Sequence, residues 1–418
     1  MKRQIWILPV HQTARPEPLL APEILQHEFP ATQNSIYMDV ANQGLISRTT
    51  WGSIAPHLEN RLQGRNDELP LLQHVEHTRA RFAQFVAADA DEIAITKNAS
   101  EGINIIANAI DWRPGDNLVL CPKLEHANNI LPWLQVKEHH DIEIRVVEPI
   151  NGALLPDAVI KAMDRRTRVV AVATVTMVPG FRTDLVPISE ACNRFGAFLL
   201  ADGTQSVGIL RTDVRKLGVD GLAVSTVKGL MGLYGSGFLY CRREWANRLS
   251  PAYVGRFSVD LGNAPESAPI QDTFRLRAGA PRFDVGHYNF PGMIAAYASL
   301  GQLLEIGTTA IEETVVSLAK RLASGLLELG FSVAGGAPGS HTGSIVAIGD
   351  AASLNGASPA DTDLSSLQEH LTSNRVTVSA RRGMLRFSLH LYNTAHEVDQ
   401  VIDLAKNWLS TSAKRRPN

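Results

Sequence analysis

Lys228 stands in Ala223-Val-Ser-Thr-Val-Lys228-Gly229, directly after a short apolar run, and 26 residues earlier Asp202 closes another such run, Phe198-Leu-Leu-Ala-Asp202-Gly203. An amine and a carboxylate at the ends of neighbouring buried strands suit one cofactor, pyridoxal phosphate (PLP), which needs a Schiff-base lysine and an acid facing its ring nitrogen. Each residue alone has a plainer reading. A lysine in a glycine-rich stretch is usually solvated, and Asp before Gly is a common turn former. Here the apolar run before Lys228 and the segment Gly229-Leu-Met-Gly-Leu-Tyr-Gly-Ser-Gly237 after it predict burial. Burial lowers an ammonium's pKa and frees the nucleophilic amine. The order strand, lysine, glycines is wrong for a dinucleotide fingerprint, so these glycines read as a turn that lets backbone approach a ligand.

Three further positions fit the same ligand. Asn98-Ala99-Ser100-Glu101-Gly102 follows the apolar run at Ile93 to Thr96 and precedes Ile103 to Ile110, whose spacing is helical. Ser100 is placed to cap that helix, and the free amides of its first turn would attract a dianionic phosphate, although an N-cap alone is commonplace. Gln205, one turn past Asp202, could bond the ring's phenolic oxygen. His126, just beyond the run ending at Cys121, could stack on the ring or could equally be a loop histidine bonded to backbone.

Such residues need a frame, and the chain supplies one. Apolar runs at 92–96, 117–121, 142–147, 169–174, 197–201, 222–225 and 237–241 alternate with helix-like stretches. Continuous rather than alternating apolar strands predict an α/β fold with a mostly parallel seven-stranded sheet covered on both faces, its chemistry at the carboxyl ends of the strands. Helical stretches at 293–306 and 310–329, apolar runs at 344–348 and 384–388, and a helix at 395–409 read as a smaller α/β domain. The expected division is a proline-dotted N-terminal arm over 1–35, a large domain over 36–290 and a small one over 291–418. The segment from Asp350 to Ser366 reads as a surface loop.

The composition narrows the setting. With 418 residues, 44% hydrophobic content and a formal charge of −2, no global field draws the chain to nucleic acid or anionic lipid. Cys121, Cys192 and Cys241 are too few and scattered for a disulfide framework or a zinc cluster, which predicts no metal and a cytoplasmic home. The run Ile5 to Val10 is too short for a membrane span.

Taken in order, several segments resemble the class V aminotransferases, a branch of the fold-type I PLP enzymes that includes cysteine desulfurases, kynureninase and isopenicillin N epimerase-like proteins. The likeness is carried by Tyr37-Met-Asp-Val-Ala-Asn42, Ala99-Ser-Glu-Gly102, Glu125-His126 with Pro132-Trp133, Ala201-Asp-Gly-Thr-Gln205, Ser225 to Lys228, Gly232 to Tyr240, Arg282-Phe-Asp-Val-Gly286 and Leu385-Arg-Phe-Ser-Leu-His-Leu-Tyr-Asn-Thr394. The resemblance implies Lys228 as the Schiff-base lysine, Asp202 on the ring nitrogen, Gln205 on the phenolic oxygen and His126 stacked on the ring. Ala99, Ser100 and Ser225 would hold the phosphate. Arg386 would grip the substrate carboxylate, with Asn42 beside the substrate. A homodimer would share its sites, with His287 or Tyr288 crossing to the neighbour's phosphate.

Three departures from the family stand out. Val227 replaces a frequent histidine, Met177 a frequent asparagine, and His287 a small hydroxyl residue. Thr174 or Thr176 could then assist Gln205. No cysteine follows Cys241, which disfavours a persulfide route. The resemblance therefore implies a PLP-dependent enzyme acting on an amino acid through an external aldimine, first as an aminotransferase. A lyase of β/γ elimination or a racemase shares the machinery, and a non-catalytic PLP-fold binding protein is the rival of another class.

Overall fold

The computed structural model describes residues 18–65, 67–260, 262, 273–349 and 362–413. A two-residue strand, β1 (Ile36–Tyr37), precedes β2 (Ile93–Thr96), β3 (Asn117–Leu120), β4 (Glu143–Val146), β5 (Thr167–Ala173), β6 (Phe198–Asp202), β7 (Gly221–Ser225) and β8 (Gly237–Cys241). Strands β2 to β8 form one sheet in the order β2-β8-β7-β6-β5-β3-β4. Pairing is parallel from β7 across to β4, and β8 runs antiparallel to both its neighbours. The α/β class with a mostly parallel seven-stranded sheet is thus the one the chain adopts.

Strands β3 and β5 to β8 are buried almost throughout, as continuous apolar runs require when helices cover both faces. By contrast β4, at the sheet edge, has exposed ends and a half-buried centre. Because β8 is reversed between two strands of the opposite sense, β2 and β7 end on the same edge, and β8 begins there. The turns after β2, β5, β6 and β7 therefore converge at one carboxyl edge.

The remaining strands are β9 (Ile345–Ile348), β10 (Val376–Thr377), β11 (Ser379–Arg381) and β12 (Met384–Ser388). Strands β11, β12 and β9 make a small antiparallel sheet packed with the helices Thr308–Glu328, Thr362–Ser373 and Ala395–Ala413. Strand β1 pairs in parallel with β10, so the start of the described chain is tied to this C-terminal part. Within the expected arm, Pro22–Glu28 is a short helix, while residues 1–17 lie outside the described residues. The expected loop from Asp350 to Ser366 needs correction at its end. Residues 350–361 lie outside the described residues, but the helix begins at Thr362, where Leu364 and Leu367 supply an apolar face toward the small sheet. We propose the division into a large part ending near residue 290 and a smaller part beyond it. Helix Phe290–Ile306 joins them, packing on the helices Arg48–Leu62 and Glu68–Phe85 and on Thr308–Glu328.

Two close contacts press these parts onto the segment around Lys228. The Gly44 amide donates to the Val227 carbonyl at 2.8 Å, and a Cβ on Gly44 would stand 2.2 Å from the Lys228 carbonyl oxygen, so only glycine fits. His390, fully buried just past β12, accepts from the Leu391 amide at Nδ1 (2.7 Å) and donates from Nε2 to the Gly229 carbonyl (2.8 Å). Burial pushes its pKa down from the ordinary 6.5 to about 4. A histidine held neutral in the fold contributes its stability fully above pH 6.5 and loses it as pH falls toward 4. The expected loss is at most about 3 kcal/mol. Denaturant titrations at pH 7, 6 and 5 should show stability declining over this range, and the decline should be shallower in His390→Gln.

Candidate active site

A cavity of about 250 Å³ opens at the carboxyl edge, lined among others by Lys228, Asp202, Gln205, His126, Ala99, Ser100, Ser225 and Asn42. A larger open hollow of about 820 Å³ lies between the segment Pro18 to Ile36 and helix Ala395–Ala413, and it shares no lining residue with the first. The chemistry-bearing side chains gather in the smaller space.

Lys228 follows β7 by three residues, and among the described residues its Nζ makes no hydrogen bond or ion pair. Burial lowers its pKa from 10.5 to about 8. Asp202 opposes that shift, and the positive charges of Arg386 and Arg381 reinforce it. Asp202 ends β6, the parallel neighbour of β7, and its Oδ1 accepts from the Thr204 amide at 2.9 Å. That bond fixes the carboxylate in a turn facing the cavity.

The helix Ala99–Ala109 starts at the end of β2, but its cap is not Ser100. Asn98 is the N-cap, its Oδ1 accepting from the Glu101 amide at 2.9 Å. Ser100 sits two residues further in, past the N-cap position. The Ala99 amide donates to the Ser225 hydroxyl at 2.9 Å, linking the ends of β2 and β7. Among the described residues no hydrogen bond is made by the Ser100 amide or hydroxyl, and both stand in the first turn of an 11-residue helix. This is the usual setting for binding a phosphate.

His126 caps the short turn Ala127–Asn129, its Nδ1 accepting from the Asn128 amide at 3.1 Å, so the ring proton of the neutral form lies on Nε2. Its pKa is lowered first by burial, then by the charges of Lys228 and Arg382. The ring is a neutral plate on the cavity wall, and it keeps the backbone bond that the plainer reading foresaw. Gln205 is buried and donates from Nε2 to the Ala41 carbonyl at 3.0 Å.

Other expected residues lie elsewhere. The Thr174 hydroxyl is taken by the Asp202 carbonyl (3.1 Å) and Ser206 (2.6 Å), and that of Thr176 accepts from the Gly180 and Phe181 amides, so neither threonine faces the cavity. Tyr288 donates to Asp284 at 2.7 Å, inside a cluster with buried Arg79, and does not reach outward. His287 is exposed, 3.3 Å from Glu68, and does not line this chain's cavity. Arg386 is 1% exposed and also lies behind the lining. It donates to the Met177 carbonyl (3.0 Å) and Ser379 hydroxyl (3.1 Å), with Asp39 at 3.7 Å and Nε left without a partner. Burial lowers its pKa to about 10, which leaves it a cation.

Sequence reasoning passed over two groups here. The Thr204 hydroxyl is buried at the cavity without a hydrogen-bond partner, although Thr204 stands inside the quoted Asp202 to Gln205 segment. Glu125 is buried next to His126, accepts from Asn129 (2.8 Å) and the Ala173 amide (2.8 Å), and has its pKa raised to about 8 by burial. Nothing in a single sequence separates such a glutamate from a solvated one.

The aminotransferase class V family description matches residues 68–401. The chain belongs to this family of PLP-dependent fold-type I enzymes. A probable cysteine desulfurase of Methanothermobacter thermautotrophicus is 30% identical over 307 residues, 72% of this chain and 74% of that protein. An uncharacterized aminotransferase of Bacillus subtilis is 26% identical over 91% of this chain and 96% of its own length. Among solved structures, the apo cysteine desulfurase of Thermococcus onnurineus superposes with a TM-score of 0.80 at 25% identity, covering 93% of this chain and 98% of that one.

The residues present fit PLP. The amine without a partner, the orphaned Thr204 hydroxyl, the helix N-terminus and the carboxylate of Asp202 face one space whose polar groups need a ligand. Because the Lys228 amine titrates near 8, the rate at which apoenzyme takes up PLP should rise with pH and level off just above 8 rather than above 10.5. Stopped-flow absorbance across pH 6.5 to 10 reads this directly.

Proposed function

We infer that the chain acts on an α-amino acid, with Lys228 as the residue that takes and returns the α-proton. The observation that carries this reading is the Lys228 amine, lowered to about 8 and sharing a cavity with Asp202. PLP, when bound, supplies an aldehyde carbon and a ring that takes up an electron pair. The protein does the rest. Asp202, held by the Thr204 amide, would face the ring nitrogen. The Ser100 amide and hydroxyl would hold the phosphate, while Ser225 fixes Ala99 and so the helix end. His126 on one side, with Ala173 and Val175, would flank the ring, and Gln205, its Nε2 bonded to Ala41, lines the same cavity and would stand near the phenolic oxygen. Asn42 on the lining and Arg386 just behind it, with Nε unpartnered, would hold the substrate carboxylate and so orient the α-carbon.

Transamination is the first reading, after the family. Cleavage of a carbon–sulfur bond is the second, favoured by relatives named as cysteine desulfurases. All three cysteines of this chain are buried, so none of them is open to take sulfur as a persulfide. A sulfur-releasing reaction in this chain would therefore end in elimination, the carbon–sulfur bond breaking to release hydrogen sulfide (or a thiol) and the remaining enamine hydrolysing to ammonia and a keto acid. The two readings separate on products. Purified holoenzyme should form a new amino acid only when a keto acid is added if it transaminates, and ammonia without any added acceptor if it eliminates. Lys228→Ala should lower either rate by at least about a thousandfold while keeping the fold, because nucleophile and base are removed together. Activity within tenfold of wild type would end the role given to Lys228.

A homodimer is part of this proposal. On helix Arg48–Leu62, Trp51, Leu58 and Leu62 are exposed at spacings that share one face, with Leu69 exposed just beyond. His287 is exposed as well. An apolar stripe of this kind is costly to leave in water. Light scattering should give twice the mass of the chain, and Leu58→Glu with Leu62→Glu should shift it toward one chain. No helix of the described residues is long and apolar enough to cross a membrane, and we place the enzyme in the cytoplasm.

A further inference from the structure

Strands β11 and β12 are joined by two residues, Arg382 (φ 50°) and Gly383 (φ 76°), a tight hairpin turn that needs positive φ at both positions. Its tip is pinned. Arg382 donates from Nη1 to the Lys123 carbonyl and from Nη2 to the Glu125 carbonyl (2.8 Å), on the loop that carries His126. The hairpin is thereby set against the cavity wall.

The ladder decides what it presents there. Ser379 pairs with Arg386 and Arg381 with Met384, so Ser379, Arg381 and Arg386 share one face of the small sheet. Two arginines on one face repel each other, and Arg381 adds to the lowering of the Arg386 pKa, so an anion between them would be favoured. A single carboxylate is at hand. Asp39 lies 3.7 Å from Arg386 and already accepts the Ser379 hydroxyl at 2.6 Å. Arg381 has no carboxylate partner among the described residues. Its Nη1 donates to the adjacent Ala380 carbonyl (2.9 Å) and its Nη2 makes a long contact, 3.4 Å, to Asn42, which lines the cavity. The guanidinium has five N–H donors, so most of its capacity is unspent. A half-buried cation held at a cavity rim by a pinned turn, with no counter-charge, is arranged for an anion that arrives from outside.

We propose that Arg381 is a specificity-determining residue that binds a second anionic group, so that the substrate class is amino acids with an acidic side chain. This rests on the amino-acid reading above. Arg386 lies deeper on the same face and serves the carboxylate common to all amino acids. Arg381, at the rim beside Asn42, meets the group that distinguishes one amino acid from another. Asn42, which lines the cavity, lies 3.4 Å from the Arg381 Nη2.

Titration of the holoenzyme with aspartate against asparagine, and glutamate against glutamine, followed by the cofactor's absorbance, tests the assignment. At least one acid should bind about tenfold or more tightly than its amide, as a bidentate charge-assisted contact requires. In Arg381→Gln that ratio should fall to within twofold of unity, and in Arg381→Lys it should be intermediate, whereas Arg386→Gln should weaken acid and amide alike. Succinate or glutarate should raise the melting temperature of wild-type holoenzyme more than butyrate does, and Arg381→Gln should erase the difference. Equal binding of acid and amide by wild type, or a preference that survives in Arg381→Gln, overturns the assignment while leaving the amino-acid reading intact. If no amino acid alters the absorbance yet the dicarboxylate effect persists and depends on Arg381, the anion site stands and the amino-acid reading falls.

Discussion

An ammonium is held in a mostly dry wall only at a cost that the fold must offset by sharing the charge or letting it go. Lys228 does both. Asp202 on the neighbouring strand end draws the charge in, while burial and two arginines press the amine toward its neutral form near pH 8. Much of the architecture follows from keeping that balance. The parallel register of β6 and β7 sets the carboxylate and the amine on adjacent strand ends, and the reversed β8 brings the start of a helix to the same edge.

The elements that hold Lys228 in place come from far along the chain. Gly44 closes on the Lys228 carbonyl so tightly that no side chain fits, and His390 donates to the carbonyl of the next residue, Gly229. The segment before Gly44 is itself paired with β10 and bonded to β12 through Ser388, whose hydroxyl accepts from the Ala41 amide at 2.9 Å. Position in the cavity thus depends on both ends of the described chain meeting over the lysine.

Much of the frame could be read from local runs of residues, because burial on two faces leaves a mark at every position of a strand. The seven apolar runs fall on β2 to β8 with ends shifted by a residue or two, and Lys228, Asp202, His126 and Gln205 meet as their positions suggested. What stayed hidden depends on long-range or three-dimensional choices. The reversal of β8 leaves no mark, since a buried antiparallel strand has the same apolar content as a parallel one. Asn98 rather than Ser100 caps the helix because the helix starts two residues earlier than the serine suggested. Strand β11 is three residues long, two of them polar, too short for any period to show, yet it carries Arg381. The threonines at 174 and 176 were set aside from the cavity by turns whose hydrogen bonds they satisfy.

The contacts that the small sheet makes with the cavity loops have a common form. His390 ends on the carbonyl of Gly229, Arg386 on that of Met177, and Arg382 on those of Lys123 and Glu125. Each of these acceptors is main chain, and each lies within a few residues of a side chain that lines the cavity: Lys228, Met177 itself and His126. A backbone oxygen reports where a loop is, irrespective of which side chain the loop carries, so the small sheet registers the positions of three loops at once. Because the three donors stand on or just beyond one hairpin and one strand, they cannot move independently. A displacement of the hairpin that freed Arg382 would loosen the His126 loop, and through β12 it would strain the bonds to Met177 and Gly229. The cavity walls and the hairpin that bears Arg381 therefore form one mechanical unit, which is why a substitution on the small sheet reaches the geometry around Lys228 without touching it.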